Sequence, residues 1–182
     1  RRRKRVDAPT ELGDARVLLH EARLYKSEYE QKKMAEVGVI SANAHRAAMS
    51  ACREGMTEWQ LQDVVENEFR RAGSRRVAYD SIVGSGANGT ILDYRENNGA
   101  MKDGDLVLID AGAELNYVAA DITRTFPVNG RYSEVQRRLY QIVLDAQIEA
   151  IEAYQVGATM DEVHAAAAKV IRAGLTSENL MR

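Results

Sequence analysis

Asp110 and Asp121 stand eleven residues apart in the segment Gly104–Phe126. Both lie in apolar runs typical of strands, where aspartate is rare and an isolated carboxylate is costly to bury. If the two runs pair around a turn near Leu115 and Asn116, the aspartates lie directly opposite each other, with Cβ atoms about 4.5–5.5 Å apart. Two such carboxylates repel unless a cation lies between them. The spacing therefore predicts a site for a hard or borderline divalent metal ion.

The alternative role for these aspartates is structural. Aspartates beside turns commonly accept hydrogen bonds from backbone amides, but the positions inside strands favour the metal. Thr123 lies two residues after Asp121 and thus on the same face of the strand. Its hydroxyl is predicted to support the metal ligands. Arg124 faces the other way, and we expect it to pair with a carboxylate as a structural contact.

Other residue patterns that could carry chemistry are weaker. The glycine-rich segment Gly84–Gly89 is not a P-loop, because no Lys-Ser/Thr pair follows it, and it indicates a tight loop. His20, His45 and His164 form no His-x-x-x-His pair, so none is assigned a role. Cys52 is the only cysteine and is expected to be a small buried apolar residue. No Ser/His/Asp triad can be recognised.

Four capping boxes predict the starts of four helices, since a hydroxyl and a Glu or Gln three residues later satisfy free amides at a helix start. These boxes are Ser27/Glu30, Thr57/Gln60, Ser133/Gln136 and Thr159/Glu162. Gly73 and Gly174 are predicted to end the second and fourth helices. Between the second and third helices, apolar runs separated by turn residues predict strands. The predicted strands are Tyr79–Val83, Thr90–Tyr94, Leu106–Ala111 and Tyr117–Phe126.

This order of elements predicts an α+β fold, a curved and mainly antiparallel sheet with helices on one face. The 182 residues suffice for one domain, which we place at residues 14–182 after a basic linker at 1–13. Positions 1–5 hold five of the 25 basic residues, leaving 20 against 27 acidic ones. Such an acidic body is not expected to bind nucleic acid. No apolar stretch is long enough for a membrane, and the single cysteine fits a cytoplasmic location.

The amino-acid sequences of four segments resemble those of the Xaa-Pro aminopeptidases (aminopeptidase P), which belong to the pita-bread metallopeptidases. The segments are Tyr79–Gly89, Ile91–Asn97, Gly104–Gly112 and Asp121–Gly130, and His20–Ser27 resembles the start of the family's catalytic domain. The resemblance implies part of a pita-bread fold and a peptide substrate with proline at its second position. It also implies two divalent metal ions, expected to be manganese, held by two Asp, one His and two Glu. Asp110 is then expected to bind one ion and Asp121 to bridge both.

The resemblance also has two departures. The family's His and Glu ligands fall beyond Arg182, so residues 14–182 correspond to the N-terminal half of the catalytic domain. Asp93 stands where the family has a histidine that contacts the substrate, and an ionised aspartate cannot donate a hydrogen bond there. We therefore expect weak metal binding and no activity from this chain alone, and either a homo-oligomer or pairing with a C-terminal half. A non-catalytic pita-bread module that binds peptides or proteins is the alternative function.

Overall fold

The computed structural model describes residues 13–181. Its helices are α1 (Ala15–Leu24), α2 (Glu28–Ala51), α3 (Glu58–Arg71), α4 (Glu134–Ala153) and α5 (Met160–Ser177), and a short 3-10 helix covers Gly86–Thr90. Its strands are β1 (Arg76–Val77), β2 (Ile82–Ser85), β3 (Leu106–Ala111), β4 (Ala113–Leu115), β5 (Val118–Ala119) and β6 (Ile122–Pro127). Of the predicted linker at 1–13 only Gly13 lies within the described residues, so that boundary stays a prediction.

The four capping boxes confirm the predicted starts of α2 to α5. In each box the Glu or Gln side chain accepts a hydrogen bond from the first residue's amide, at 2.7–2.9 Å. Helix α3 ends just before Gly73, whose φ of +94° suits a glycine stop, as predicted. The predicted stop at Gly174 was wrong, because α5 runs on to Ser177. A Cβ at Gly174 would lie 2.6 Å from the Ile142 side chain, so this glycine serves close helix packing instead.

Helix α1 was not predicted. Asp14 caps its start, with a carboxylate that accepts from the Arg16 amide at 2.9 Å, and the helix contains His20, which precedes the first predicted helix start at Ser27. None of its ten residues is buried. Its start carries no capping box, because Val17 rather than Glu or Gln stands three residues after Asp14.

The strands form two antiparallel sheets, ordered β1-β4-β5 and β2-β3-β6. β3 continues into β4, and β5 continues into β6, so a single bent hairpin contributes strands to both sheets. The predicted strand Tyr117–Phe126 is therefore divided into β5 and β6. The first predicted strand, Tyr79–Val83, moves to Ile82–Ser85. The prediction of a strand at Thr90–Tyr94 was wrong, because a 3-10 helix and a turn occupy these residues. Within them, the Tyr94 hydroxyl donates to the buried Glu58 carboxylate, and the Thr90 hydroxyl donates to the Ala87 carbonyl.

Helices α2 and α3 pack against the strands, and α4 and α5 pack mainly on each other. The core joins apolar side chains of α2, α3 and the sheets, including Val37, Ala44, Leu61, Val65, Phe69, Val83, Val107 and Ile109. Among its buried residues α4 has only Ala146, and α5 has none. The α+β class is confirmed. None of the helices in residues 13–181 is both long and apolar enough to span a membrane.

Candidate metal centre

The two aspartates converge on one phenol. The Tyr79 hydroxyl oxygen lies 2.5 Å from Asp110 Oδ1 and 3.0 Å from Asp121 Oδ1. A hydroxyl has a single proton to donate, so the two carboxylates share one donor. The structure thus brings together the two residues that the sequence analysis selected, with Tyr79 as a third group that it did not.

The predicted register was wrong by two residues. In the β3–β6 ladder Asp110 pairs with Thr123, and Asp121 lies two residues closer to the turn, on the same face as Thr123. The turn at Asn116 and Tyr117 causes this shift, because it lies one residue later than predicted. Both residues have positive φ, 53° and 67°, as in the type I′ turns of tight hairpins.

Gly112 makes the bend that brings the aspartates together. It lies between β3 and β4, opposite Asp121 in the same register. A Cβ at this position would fall 1.8 Å from the Ala120 carbonyl oxygen, so only glycine allows this backbone approach. The Gly112 carbonyl accepts a hydrogen bond from the Ala78 amide at 2.8 Å, which places the neighbouring Tyr79 beside both carboxylates.

The electrostatics of the site favour a protonated phenol. Burial raises the pKa of Tyr79, and its hydrogen bonds to Asp110 and Asp121 raise it further, because a phenolate would face two carboxylates. Tyr79 is therefore a hydrogen-bond donor at any ordinary pH. Its hydroxyl offsets part of the repulsion between the two aspartates, but it cannot neutralise their charge.

His45 lies buried behind the site. Its Nε2 is 3.2 Å from the carbonyl oxygen of Ala111, the residue after Asp110. Burial lowers the pKa of His45, with the Ala111 carbonyl opposing this effect. The neutral ring then donates from Nε2 to the end of β3, while Nδ1 has no partner among residues 13–181. No role for His45 was predicted from the sequence, and in the structure this residue supports the strand that carries Asp110.

The remaining predicted residues are less involved. Thr123 is exposed opposite Asp110, and its hydroxyl makes no hydrogen bond within the described range. Arg124 donates to the Thr123 carbonyl at 2.7 Å and forms no ion pair with any described carboxylate, so its expected acidic partner is missing. Asp93 lies in an exposed turn with φ +55°, and its carboxylate bonds to no described residue. Thr123 and Asp93 keep their roles only as predictions.

The donor set suits a hard or borderline divalent ion, because it consists of carboxylate oxygens backed by a hydroxyl. It is also small. No cluster of three or more His, Cys, Asp or Glu side chains able to hold a metal occurs in residues 13–181. The pair therefore fits part of a metal site and needs further ligands from elsewhere.

Comparison with known proteins places this chain in a family. Residues 32–180 match Metallopeptidase family M24. The chain belongs to this family. It is 43% identical to an Xaa-Pro aminopeptidase of Escherichia coli K12 over 180 residues, which cover 99% of this chain and 41% of the relative. An Xaa-Pro aminopeptidase of Haemophilus influenzae is 40% identical over 173 residues, covering 95% and 40%.

Solved structures of M24 enzymes confirm the pita-bread fold. Aminopeptidase P of Pseudomonas aeruginosa is 48% identical and superposes with a TM-score of 0.90, covering 91% of this chain and 38% of that one. Zinc-substituted E. coli aminopeptidase P in complex with product is 44% identical with a TM-score of 0.93, covering 96% and 40%. The chain thus spans about 40% of the length of the relatives that it matches.

Proposed function

We propose that this chain supplies part of the active site of an M24 metallopeptidase that releases an N-terminal residue preceding proline. The observation that carries the proposal is the convergence of Asp110 and Asp121 on the Tyr79 hydroxyl. It stands in a chain 43% identical to an Xaa-Pro aminopeptidase. The substrate class is taken from these relatives, and a peptide with proline at its second position is the expected partner.

The proposed cofactor is a pair of divalent metal ions, with manganese as the expected metal. Asp110 would bind one ion and Asp121 would bridge both, with Thr123 as a supporting hydroxyl. When bound, the ions supply an activated water molecule for hydrolysis. Tyr79 would keep one oxygen of each carboxylate oriented by its hydrogen bonds, which leaves the other oxygens free to face the metal.

Two carboxylates bind a divalent ion weakly, because proteins usually give such an ion several more oxygen or nitrogen ligands. We propose that a C-terminal half of the catalytic domain supplies a His and two Glu, and that this chain alone is inactive. One surface suits such pairing. A groove of about 430 Å³ lies between β6, an edge strand, and the apolar side chains Leu139, Tyr140 and Val143 of α4. Self-association through the same surface is the alternative when that half is absent.

The proposal is tested by peptide hydrolysis. The C-terminal half is supplied in the same polypeptide or as a separately produced chain, and a peptide with proline second is incubated with manganese. We expect release of the residue before proline, and no release when Asp110 and Asp121 are both changed to alanine. A matched control replaces Asp63, which is exposed on α3, and should keep full activity. Absence of turnover from the complete wild-type protein would contradict the proposal.

A non-catalytic peptide-binding or protein-binding module is the second candidate. The observation that favours it is Asp93, an exposed aspartate at the family's histidine position. The substitution Asp93→His distinguishes the two functions. If the protein is an enzyme limited by this residue, the variant should hydrolyse proline peptides about 10-fold faster or more, since a positioned acid-base or donor group contributes about 10²–10⁴-fold. A module without catalytic function would bind the peptide and leave it intact in both forms.

The proposed location is the cytoplasm. Cys52 is the only cysteine of the sequence, so these residues carry no internal disulfide, and none is required for the fold described. Fractionation of cells that express the tagged protein would test this, with recovery in the cytosolic fraction as the expected result.

A further inference from the structure

A buried carboxylate outside the aspartate pair organises the loop beside it. Glu58, the first residue of α3, is fully buried. Its Oε1 accepts from the Ser85 amide at 2.7 Å, the Ser85 hydroxyl at 2.9 Å and the Asn88 side chain at 3.0 Å. Its Oε2 accepts from the Tyr94 hydroxyl at 2.7 Å and the Gly99 amide at 2.8 Å. One side chain thus gathers donors from four residues spread over fifteen positions.

Three of these four residues, Asn88, Tyr94 and Gly99, belong to a loop without strands of its own, and Ser85 ends β2 just before it. Residues 86–99 consist of the short 3-10 helix and turns, and Asp93 and Asn97 have positive φ. Asn97 is buried and makes a second anchor, accepting from the Val83 amide at 2.9 Å and donating to the Ser81 carbonyl at 2.7 Å. The conformation of the loop is therefore imposed by buried polar contacts rather than by a ladder.

The loop contacts the residues that follow Tyr79 of the metal centre. Its Arg95 lies 3.4 Å from the Asp80 carboxylate, and Asn97 bonds to Ser81, the next residue. Asp80 directly follows Tyr79, whose hydroxyl contacts both aspartates. These contacts tie the loop, with Asp93 and the exposed Leu92, to the two residues that directly follow Tyr79.

Glu58 can hold the loop because it is ionised. Burial alone would raise the pKa of its carboxyl, but the hydrogen bonds from Ser85, Tyr94, Asn88 and Gly99 together hold that pKa below its ordinary value. The amides at the start of α3 add favourable dipoles. A carboxylate accepts on both oxygens, whereas a neutral amide would present a donor to groups that are themselves donors.

We infer that Glu58 is the positioning residue that fixes the loop 86–99 as a wall of the substrate site. It touches neither substrate nor metal in this role. It holds Tyr94, and through it the neighbouring Asp93, at a set place beside Asp110 and Asp121. The inference rests on the proposed function, because a substrate wall requires a substrate.

The test uses the complete peptidase, with its C-terminal half, and the variant Glu58→Gln. We expect the KM for a proline peptide to rise about 10-fold or more, while manganese affinity stays within about two-fold, because a wall misplaced by about 1 Å is costly to catalysis. Mere loss of folded enzyme would lower the apparent kcat and leave KM unchanged. The matched control is Glu134→Gln, since Glu134 is the first residue of α4 after an equivalent capping box but is exposed. Its KM should equal that of the wild type.

A second variant covers the case in which Glu58→Gln does not fold. Tyr94→Phe removes one hydroxyl, which donates to Glu58 and accepts from the Asn88 side chain, and it keeps the ring, so KM should rise by a smaller factor of about three. Hydrogen exchange gives a readout independent of activity, since the Ser85 and Gly99 amides should exchange at least 10-fold faster in both variants. An unchanged KM in an active protein with Tyr94→Phe would overturn the inference alone. An inactive complete wild type would overturn the proposed function and the inference together.

Discussion

Relief of the repulsion between the aspartates should make the metal-free protein more stable. Because both Oδ1 atoms contact the Tyr79 hydroxyl, at 2.5 and 3.0 Å, they are close neighbours. Two unit charges about 5 Å apart repel by about 1 kcal/mol in water and by about 3 kcal/mol at an effective dielectric constant of about 20. Asp121 is exposed, so solvent screening favours the lower value. We therefore expect Asp121→Asn to raise the free energy of unfolding by about 1 kcal/mol.

For a chain of this size, 1 kcal/mol corresponds to a rise in Tm of about 2–4 °C. The assay is thermal unfolding in the presence of a chelator, with Asp63→Asn as a control that removes the same charge from an exposed position on α3. Manganese should shrink this difference. At a concentration tenfold above Kd the wild type gains about 1.4 kcal/mol, and the variant gains less. A variant that melts at or below the Tm of the wild type in chelator would refute the reasoning.

Other substitutions test the packing and charge described above. Gly38 lies in α2 with open space around it, so Gly38→Ala should stabilise the protein by about 0.5–1 kcal/mol in urea unfolding. Gly174→Ala should destabilise it by about 1–3 kcal/mol, because the added Cβ would meet the Ile142 side chain. Equal effects of the two substitutions would contradict the close contact between Gly174 and Ile142. Gly112→Ala should cost about 3 kcal/mol or more in the same assay, because its Cβ meets a carbonyl oxygen at 1.8 Å. The wild type should be more stable than Glu58→Gln by a constant free energy of unfolding at pH values above the ordinary carboxyl pKa of 4.5. This difference should shrink as the pH falls through the lowered pKa of Glu58 in the folded protein. A difference that grows in acid would contradict the prediction.

Local signals in the sequence predicted most of the helices. Each capping box lies within four residues, so the starts of α2 to α5 follow from local chemistry. The aspartate pair was also predictable, because carboxylates are rare in apolar strands. Gly174 was misinterpreted, since its function depends on a contact with α4 that lies far away in sequence.

The geometry around the aspartates depended on features that local patterns do not carry. The register followed from a turn that places Tyr117 at φ +67°, a conformation that a bulky residue rarely adopts. The contact of Tyr79 with the two aspartates could not be predicted from the sequence, because an aromatic residue near a strand is common. The prediction of a strand at Thr90–Tyr94 was wrong because Tyr94, Asn88 and Gly99 donate to Glu58, which lies at least thirty residues earlier in the sequence. Such buried polar contacts are set by the tertiary fold.

Manganese binding by the complete protein tests the central claim most directly. Titration calorimetry compares the wild type with the double variant Asp110→Ala, Asp121→Ala, with the C-terminal half present in both. If the two aspartates are metal ligands, the double variant should bind manganese at least about 100-fold more weakly, since loss even of a group that only supports a ligand costs about 10–100-fold. Equal affinity in the two proteins would contradict the assignment of Asp110 and Asp121 as the metal site.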